Sequence, residues 1–290
     1  MSQTIDTSLK GRVVILTGGA RGLGREMALE LAAQGAKIVI TGVSESSAMK
    51  ETVAKANQSI APGCMVGVAA DVGDFAACKK VVDFAIASFG DLHVVVNNAG
   101  QGMRLISETF NTQPVKFWEI NPDDWRSIIS TNINGVFNMS RAAVPYMLAK
   151  GFGKIINIST SDQTMTRRGY SPYGPSKAAL EAMSRSWSQD LEGSGVDVNV
   201  YLPGGAADTD LLPPSSNKRG ADGNLLPADI MRRAIGWLCS DASNGMTGGR
   251  YIARLWELSV PAAEAAKAAR APGHFMAART IKAETAHMQF

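Results

Sequence analysis

The chain has 290 residues, 45% of them apolar and 19% charged, a size and balance that suit one large α/β domain. Its net charge of +3 comes from interspersed signs without a basic stripe, which argues against a nucleic-acid partner. No stretch approaches the roughly 20 apolar residues that cross a bilayer, and the first residues show no secretion signal, so a cytoplasmic protein with no membrane partner is expected. Cys64, Cys78 and Cys239 are too scattered for disulfides or a thiolate metal site, and they read as buried thiols in a reducing compartment.

The first apolar run, Val13 to Leu16, ends at a glycine turn, and Arg25 to Gln34 then carries a helical stripe that Gly35 stops. Lys37 to Thr41 is a second β-branched run, which completes a βαβ unit. The alternation continues with a strand at Met65 to Ala69, a helix from Phe75 to Phe89 ended by Gly90, and a strand at Val94 to Val96. A long helix is expected from about Asp123 to Lys150. A strand at Lys154 to Ile158, a helix from about Tyr173 to Leu191, a strand at Val196 to Leu202 and a last strand near Arg250 to Ala253 follow. Continuous apolar runs mark strands buried on both faces, so the pattern predicts a doubly wound parallel sheet with helices on both sides. The irregular stretches from Gln101 to Pro122 and from Gly204 to Pro227 follow strands. They should border a ligand at the carboxyl edge, as lids.

The glycine turn runs Thr17-Gly-Gly-Ala-Arg-Gly-Leu-Gly24. Glycines at positions 18, 22 and 24 let the backbone turn tightly and bring N–H groups to a pyrophosphate at a helix N-terminus. Asn97-Asn98-Ala99-Gly100 follows the fourth strand; its small and amide residues can bond neighbouring backbone and leave room for an adenine and ribose. Asp71, just past the third strand, reads either as an acceptor for an adenine amino group or as a loop cap. Tyr173 and Lys177 lie one helical turn apart, with a hydroxyl at Thr160 upstream. A phenol titrates near 10, and an ammonium one turn away favours the phenolate, so the pair suits proton transfer. Beside a dinucleotide cradle, this set describes hydride transfer between a nicotinamide and a carbonyl or alcohol.

These motifs, in this order and at these intervals, with Asp71-Val72, Asn132 and Pro203-Gly204, resemble the short-chain dehydrogenase/reductase family across about Lys10 to Arg254. The resemblance implies a single Rossmann-like domain over residues 1–256. Residues 257–290 then form an extension, helical or partly disordered, that lies on the surface or across a neighbouring subunit. It implies Tyr173 as general acid in reduction and base in oxidation, with Lys177 lowering its pKa and bonding the nicotinamide ribose. Thr160 stands where such enzymes usually carry serine and would hold the substrate oxygen, ahead of Ser161 and Ser159 as alternatives. Asn132 would anchor a water that relays protons from Lys177. The implied cofactor-facing set is Gly18, Arg21, Gly22, Leu23, Gly24, Ser44, Asp71, Val72, Asn98, Ala99, Gly100, Tyr173, Lys177, Pro203 and Gly204, with Thr209 as the contact to the carboxamide.

Cofactor choice rests on the end of the second strand. Gly42 falls where an acid would select NAD, and Arg21 can reach the same region, which points to NADP; Glu45 keeps NAD as the alternative. The family layout places Gln101, Met103, Gln163, Tyr170, Leu211 and Leu212 near the reacting carbon, a mixed pocket for a small alcohol or ketone. Arg104, Arg167 and Arg168 read as solvated loop residues. His93, His274 and His287 form no metal-binding pattern. A homodimer or homotetramer through the long helices is implied, and the alternative function is a catalytically silent nucleotide-binding sensor.

Overall fold

In the first strand, β1 (Val13–Thr17), Val14 and Leu16 face one core while Val13 and Ile15 face another, so one unbroken apolar run serves two layers. β2 (Lys37–Gly42) repeats the division, with Ile38 and Ile40 on the first side and Val39 on the second. β3 (Met65–Ala69), β4 (Val94–Asn97), β5 (Gly153–Ile158), β6 (Val196–Leu202) and β7 (Arg250–Ile252) complete the sheet. Its order is β3-β2-β1-β4-β5-β6-β7, with every pairing parallel. This computed structural model describes residues 9–214, 218–219 and 223–271.

The helices are α1 (Gly22–Ala33), α2 (Ser47–Ser59), α3 (Phe75–Phe89), α4 (Pro122–Ile129), α5 (Gly135–Lys150), α6 (Asp162–Met165), α7 (Tyr173–Asp190), α8 (Arg232–Cys239) and α9 (Ala262–Ala269). Met27 and Leu31 of α1, Ile235 and Leu238 of α8, and Ala265 and Ala269 of α9 fill the first core. Val81 and Ala85 of α3 and Met139 and Ala143 of α5 fill the second. Both faces of the sheet are therefore covered, which gives the doubly wound Rossmann-like α/β fold its strands announced. α3 keeps its expected bounds because each end has its own stop. Asp74 accepts from the Ala76 N–H at 2.8 Å, and Gly90 takes a left-handed turn at φ 81°.

Three elements differ from expectation. The helix expected from Asp123 to Lys150 is α4 and α5 joined by a π-turn, Ser130–Asn134, so Asn132 sits on the widened turn. No element was expected between Gly42 and Met65, yet α2 forms there, capped by Ser46 on the Met49 N–H at 3.2 Å. Its buried residues are Met49, Thr52 and Ala56, too few aliphatics to mark a stripe. α8 was missed for its short length and its internal Gly236. The expected extension contributes α9, whose alanines share the first core with Trp256, whereas residues 272–290 lie outside the described residues.

Strand order reverses between β1 and β4, and a crevice opens there over the carboxyl ends of the strands.

Candidate active site

A cleft of about 1250 Å³ occupies that crevice, and the glycine turn forms its floor. Gly18 has φ +67°, and a Cβ there would lie 2.9 Å from the Ala99 Cα. A Cβ on Gly24 would lie 2.2 Å from the Gly18 carbonyl oxygen, so no side chain fits between the turn and α1. The Thr17 hydroxyl accepts from the N–H groups of Asn98 and Ala99, both at 3.0 Å. The Asn98 amide donates to the carbonyls of Thr17 at 2.9 Å and Gly18 at 3.0 Å, so it clamps β4 to the turn. This bare backbone at the start of α1 fits a dinucleotide's pyrophosphate.

The other expected cofactor contacts divide. Leu23, Ser44, Asp71, Val72, Gly100, Pro203 and Gly204 line the cleft with the glycines. Asp71 also caps its own loop, accepting from the Gly73 N–H at 2.8 Å. Arg21 turns to Asp210 of the second lid, at 3.1 Å, with both side chains largely in solvent. Thr209 presents its methyl to the turn, since a Cβ on Gly22 would lie 3.2 Å from it.

Across the cleft, α7 begins at Tyr173, and the Thr160 side chain comes near enough to the phenol to favour its charged form. Of the neighbouring hydroxyls, Ser159 donates to Glu181 at 2.7 Å and Ser161 shares a bond with Thr164 at 2.9 Å. Lys177 lies one turn further on, and its Nζ donates to the Ile158 carbonyl at 2.8 Å. Burial pushes the Tyr173 phenol up to about 12, more than the nearby Thr160 side chain opposes. Burial also pulls Lys177 down to about 8, against the carboxylate of Glu181. Desolvation is the leading influence on the phenol, and the lysine's bond is to a carbonyl.

Asn132 is fully buried. Its amide accepts from the Gln101 N–H at 2.8 Å and donates to the Gln101 carbonyl at 2.9 Å and to Ser176 at 3.0 Å. The side chain expected to hold a water thus braces the first lid. Gln101 is the strut, its own side chain accepting from Ser127 at 2.8 Å. Gly100 separates Asn132 from Lys177: a Cβ there would lie 3.4 Å from the Asn132 Oδ1 and 3.7 Å from the Lys177 Nζ.

The substrate side is walled by Met103, Phe110 and Tyr170, which pack together, with Tyr170 and Phe110 edge to face at 5.4 Å. Leu212 packs against them, and Leu211 closes over Gly102. Gln163 lies exposed at the cleft. Arg167 is a wall residue: it donates to the Tyr170 hydroxyl at 3.1 Å and stacks 4.8 Å over its ring. Arg104 is held by Glu108 at 2.9 Å. Sequence reasoning missed Glu181, Arg250 and Ser176, all buried beneath the reacting side chains. An acid one turn past Lys177 on a buried helix face was the available sign.

Known proteins agree with this geometry. The family model described as short chain dehydrogenase matches residues 12–220. The 3-oxoacyl-[acyl-carrier-protein] reductase FabG of Salmonella typhimurium is 31% identical over 248 residues, spanning 83% of this chain and 95% of the relative. A short-chain type dehydrogenase/reductase of Picea abies is 38% identical over 209 residues, 70% of this chain and 73% of that protein. The crystal structure of 3-ketoacyl-(acyl-carrier-protein) reductase from Brucella melitensis, complexed with NADH, superposes with a TM-score of 0.71. It is 25% identical, over 83% of this chain and 96% of that one. With the sheet, the cradle and the matched length in agreement, the chain belongs to the short-chain dehydrogenase/reductase family of NAD(P)-dependent oxidoreductases.

Proposed function

We propose that this enzyme works as a ketone reductase in which Tyr173 is the proton donor. The observation that carries the reading is the convergence of the Tyr173 phenol, the Thr160 hydroxyl and the Lys177 ammonium on the lining of one cleft. Burial keeps the phenol protonated at neutral pH, so it has a proton to give. A nicotinamide held over the glycine turn would supply the hydride that the carbonyl carbon accepts. Tyr173 gives its proton to the carbonyl oxygen while the Thr160 hydroxyl stabilises the charge building there. The Lys177 ammonium, one turn away, offsets the phenolate left behind until solvent returns the proton. The same groups run the alcohol oxidation in reverse. Tyr173, Lys177 and Thr160 converge in one cleft, which favours an enzyme over a silent sensor.

The apolar wall of Met103, Phe110, Tyr170, Leu211 and Leu212 supports a ketone with an apolar flank, and an acyl ketone is the class we favour. NADP is the preferred coenzyme in this reading. Gly42 brings no carboxylate to repel a 2′-phosphate, and Ser44, Ser46 and Ser47 line the cleft at the start of α2. Arg21 contributes only if it leaves Asp210. Exposed Trp125, Phe137 and Leu148 on α4 and α5 support a homodimer or homotetramer. Among the described residues no helix is long and apolar enough to cross a membrane, and the buried Cys64, Cys78 and Cys239 suit a cytoplasmic setting.

The test is coenzyme absorbance over 3-oxoacyl thioesters, cyclic ketones and sugars, with NADPH and NADH in parallel. Tyr173→Phe should lose roughly 10²-fold or more in kcat. A Tyr173→Phe enzyme with full turnover would end the acid assignment, and faster rates with NADH would end the NADP assignment.

A further inference from the structure

A cluster of charges around a fully buried ion pair lies behind the reacting side chains, and beyond the pull of Glu181 on Lys177 the chemistry above gives it no task. Glu181 follows Lys177 by one turn of α7, and Arg250 opens β7; their side chains are 1% and 2% exposed. The Arg250 Nε donates to both carboxylate oxygens of Glu181 at 3.0 Å. Its Nη2 donates to the Thr160 carbonyl at 3.2 Å and to the Asp162 carboxylate at 2.6 Å. Ser159 closes the set, donating to Glu181 at 2.7 Å. One planar guanidinium therefore ties together the loop leaving β5, the catalytic face of α7 and the edge strand β7.

Stability alone does not explain such a group. Replacing a buried ion pair by apolar side chains of similar volume is often neutral or stabilising, because desolvating the charges costs as much as their attraction returns. What a forked guanidinium supplies is direction: fixed N–H vectors set the position of each acceptor. Here the Thr160 carbonyl and Asp162 are held directly and Ser159 through Glu181, so the segment is fixed before and after the Thr160 side chain. Reaction rates fall steeply when a reacting group moves by about an ångström, so holding this segment is worth more in turnover than in stability.

We infer that Arg250 and Glu181 are positioning residues of the active site, their buried pair holding residues 159–162 so that the Thr160 hydroxyl meets Tyr173. The inference rests on the reading of Tyr173 as proton donor. Its test is the double variant Arg250→Met with Glu181→Met, which removes both fully buried charges; the Asp162 carboxylate that Arg250 also holds is 39% exposed and stays solvated. Turnover is followed with NADPH and a short 3-oxoacyl thioester, or with whichever ketone the coenzyme screen selects. We expect a folded protein whose unfolding midpoint falls only modestly, since the Ser159 hydroxyl and Thr160 carbonyl lose partners while a costly buried charge pair is removed, and unchanged coenzyme affinity by fluorescence. We also expect kcat lowered by about 10²-fold, KM within about twofold, and a larger primary isotope effect from deuterated coenzyme. Arg250→Lys keeps the charge and discards the fork, and serves should the double variant not fold; it should lower kcat about tenfold or more. Wild-type kcat in either folded variant overturns the inference. Tyr173→Phe separates the two levels. An inactive Tyr173→Phe with a fully active double variant sinks the positioning role alone, whereas an active Tyr173→Phe sinks the reading beneath it.

Discussion

Lys177 is the group in this cleft whose charge changes within the working pH range. Its Nζ donates to the Ile158 carbonyl at 2.8 Å; burial pulls it down to about 8, and the Glu181 carboxylate resists that pull. Tyr173, pushed up to about 12, keeps its proton over the same interval. Ketone reduction should therefore decline above about pH 8 as the ammonium that offsets the phenolate is lost. Glu181→Gln, which withdraws the opposing charge, should move that decline to lower pH. The sign for stability is opposite. The folded pKa lies below the ordinary 10.5, so the unfolded chain binds more protons between about 8 and 10.5. The penalty for burying this lysine is thus complete below pH 8 and fades as pH rises toward 10.5. A pH–rate profile and urea unfolding of Lys177→Met across the window check both signs. The variant's gain in stability should be greatest below pH 8, and a gain that grows with pH would count against the burial argument. Spacing singled out Tyr173 and Lys177, because one helical turn is fixed geometry, whereas Thr160 came from the family resemblance. Their mutual electrostatics were not legible, since desolvation depends on what covers the residues.

Secondary structure was legible where an element carries large aliphatic residues and a chemical stop, as in α3 with Asp74 and Gly90. It was not legible in α2, whose buried stripe is Met49, Thr52 and Ala56, nor in the π-turn, because one extra residue in a helical turn has no compositional mark. That turn decides what Asn132 does. With its amide turned inward, Asn132 binds both main-chain groups of Gln101 and the Ser176 hydroxyl, which joins the first lid to α7. Asn132→Leu keeps the volume and orphans those partners, at about 1–3 kcal/mol for each group left buried and unpaired. The expected result is a loss of at least about 2 kcal/mol in urea unfolding, together with faster hydrogen exchange at the Gln101 amide. A variant as stable as the parent, with Gln101 still protected, would show that the lid is held elsewhere. Distance in sequence hid Arg250 for a related reason: its partners Thr160, Asp162 and Glu181 are assembled only by the sheet order.

At the scale of the molecule, the apolar runs foretold the parallel sheet with its ligand edge, while the expected extension falls among the described residues only as far as residue 271. Its shortage of large apolar residues suggested a helical or partly disordered segment lying on the surface or across a neighbouring subunit. In the structure, small size is what lets α9 approach. Ala265 and Ala269 are fully buried against the first core, and the Ala271 N–H donates to the Arg250 carbonyl at 2.9 Å. α9 is thereby coupled to β7, the strand that presents Arg250 beneath the catalytic segment. Two substitutions on this one helix separate docking from helix propensity. Ala268→Glu places a carboxylate on the exposed face and should change stability by no more than about 0.5 kcal/mol. Ala265→Glu forces the same group into the core, where no cation is paired with it, and should cost about 3 kcal/mol or more. Because β7 shifts with its support, Ala265→Glu should also lower kcat at temperatures where the protein remains folded, and Ala268→Glu should not. Equal unfolding midpoints for the two variants would mean that α9 is not part of the core that carries the active site.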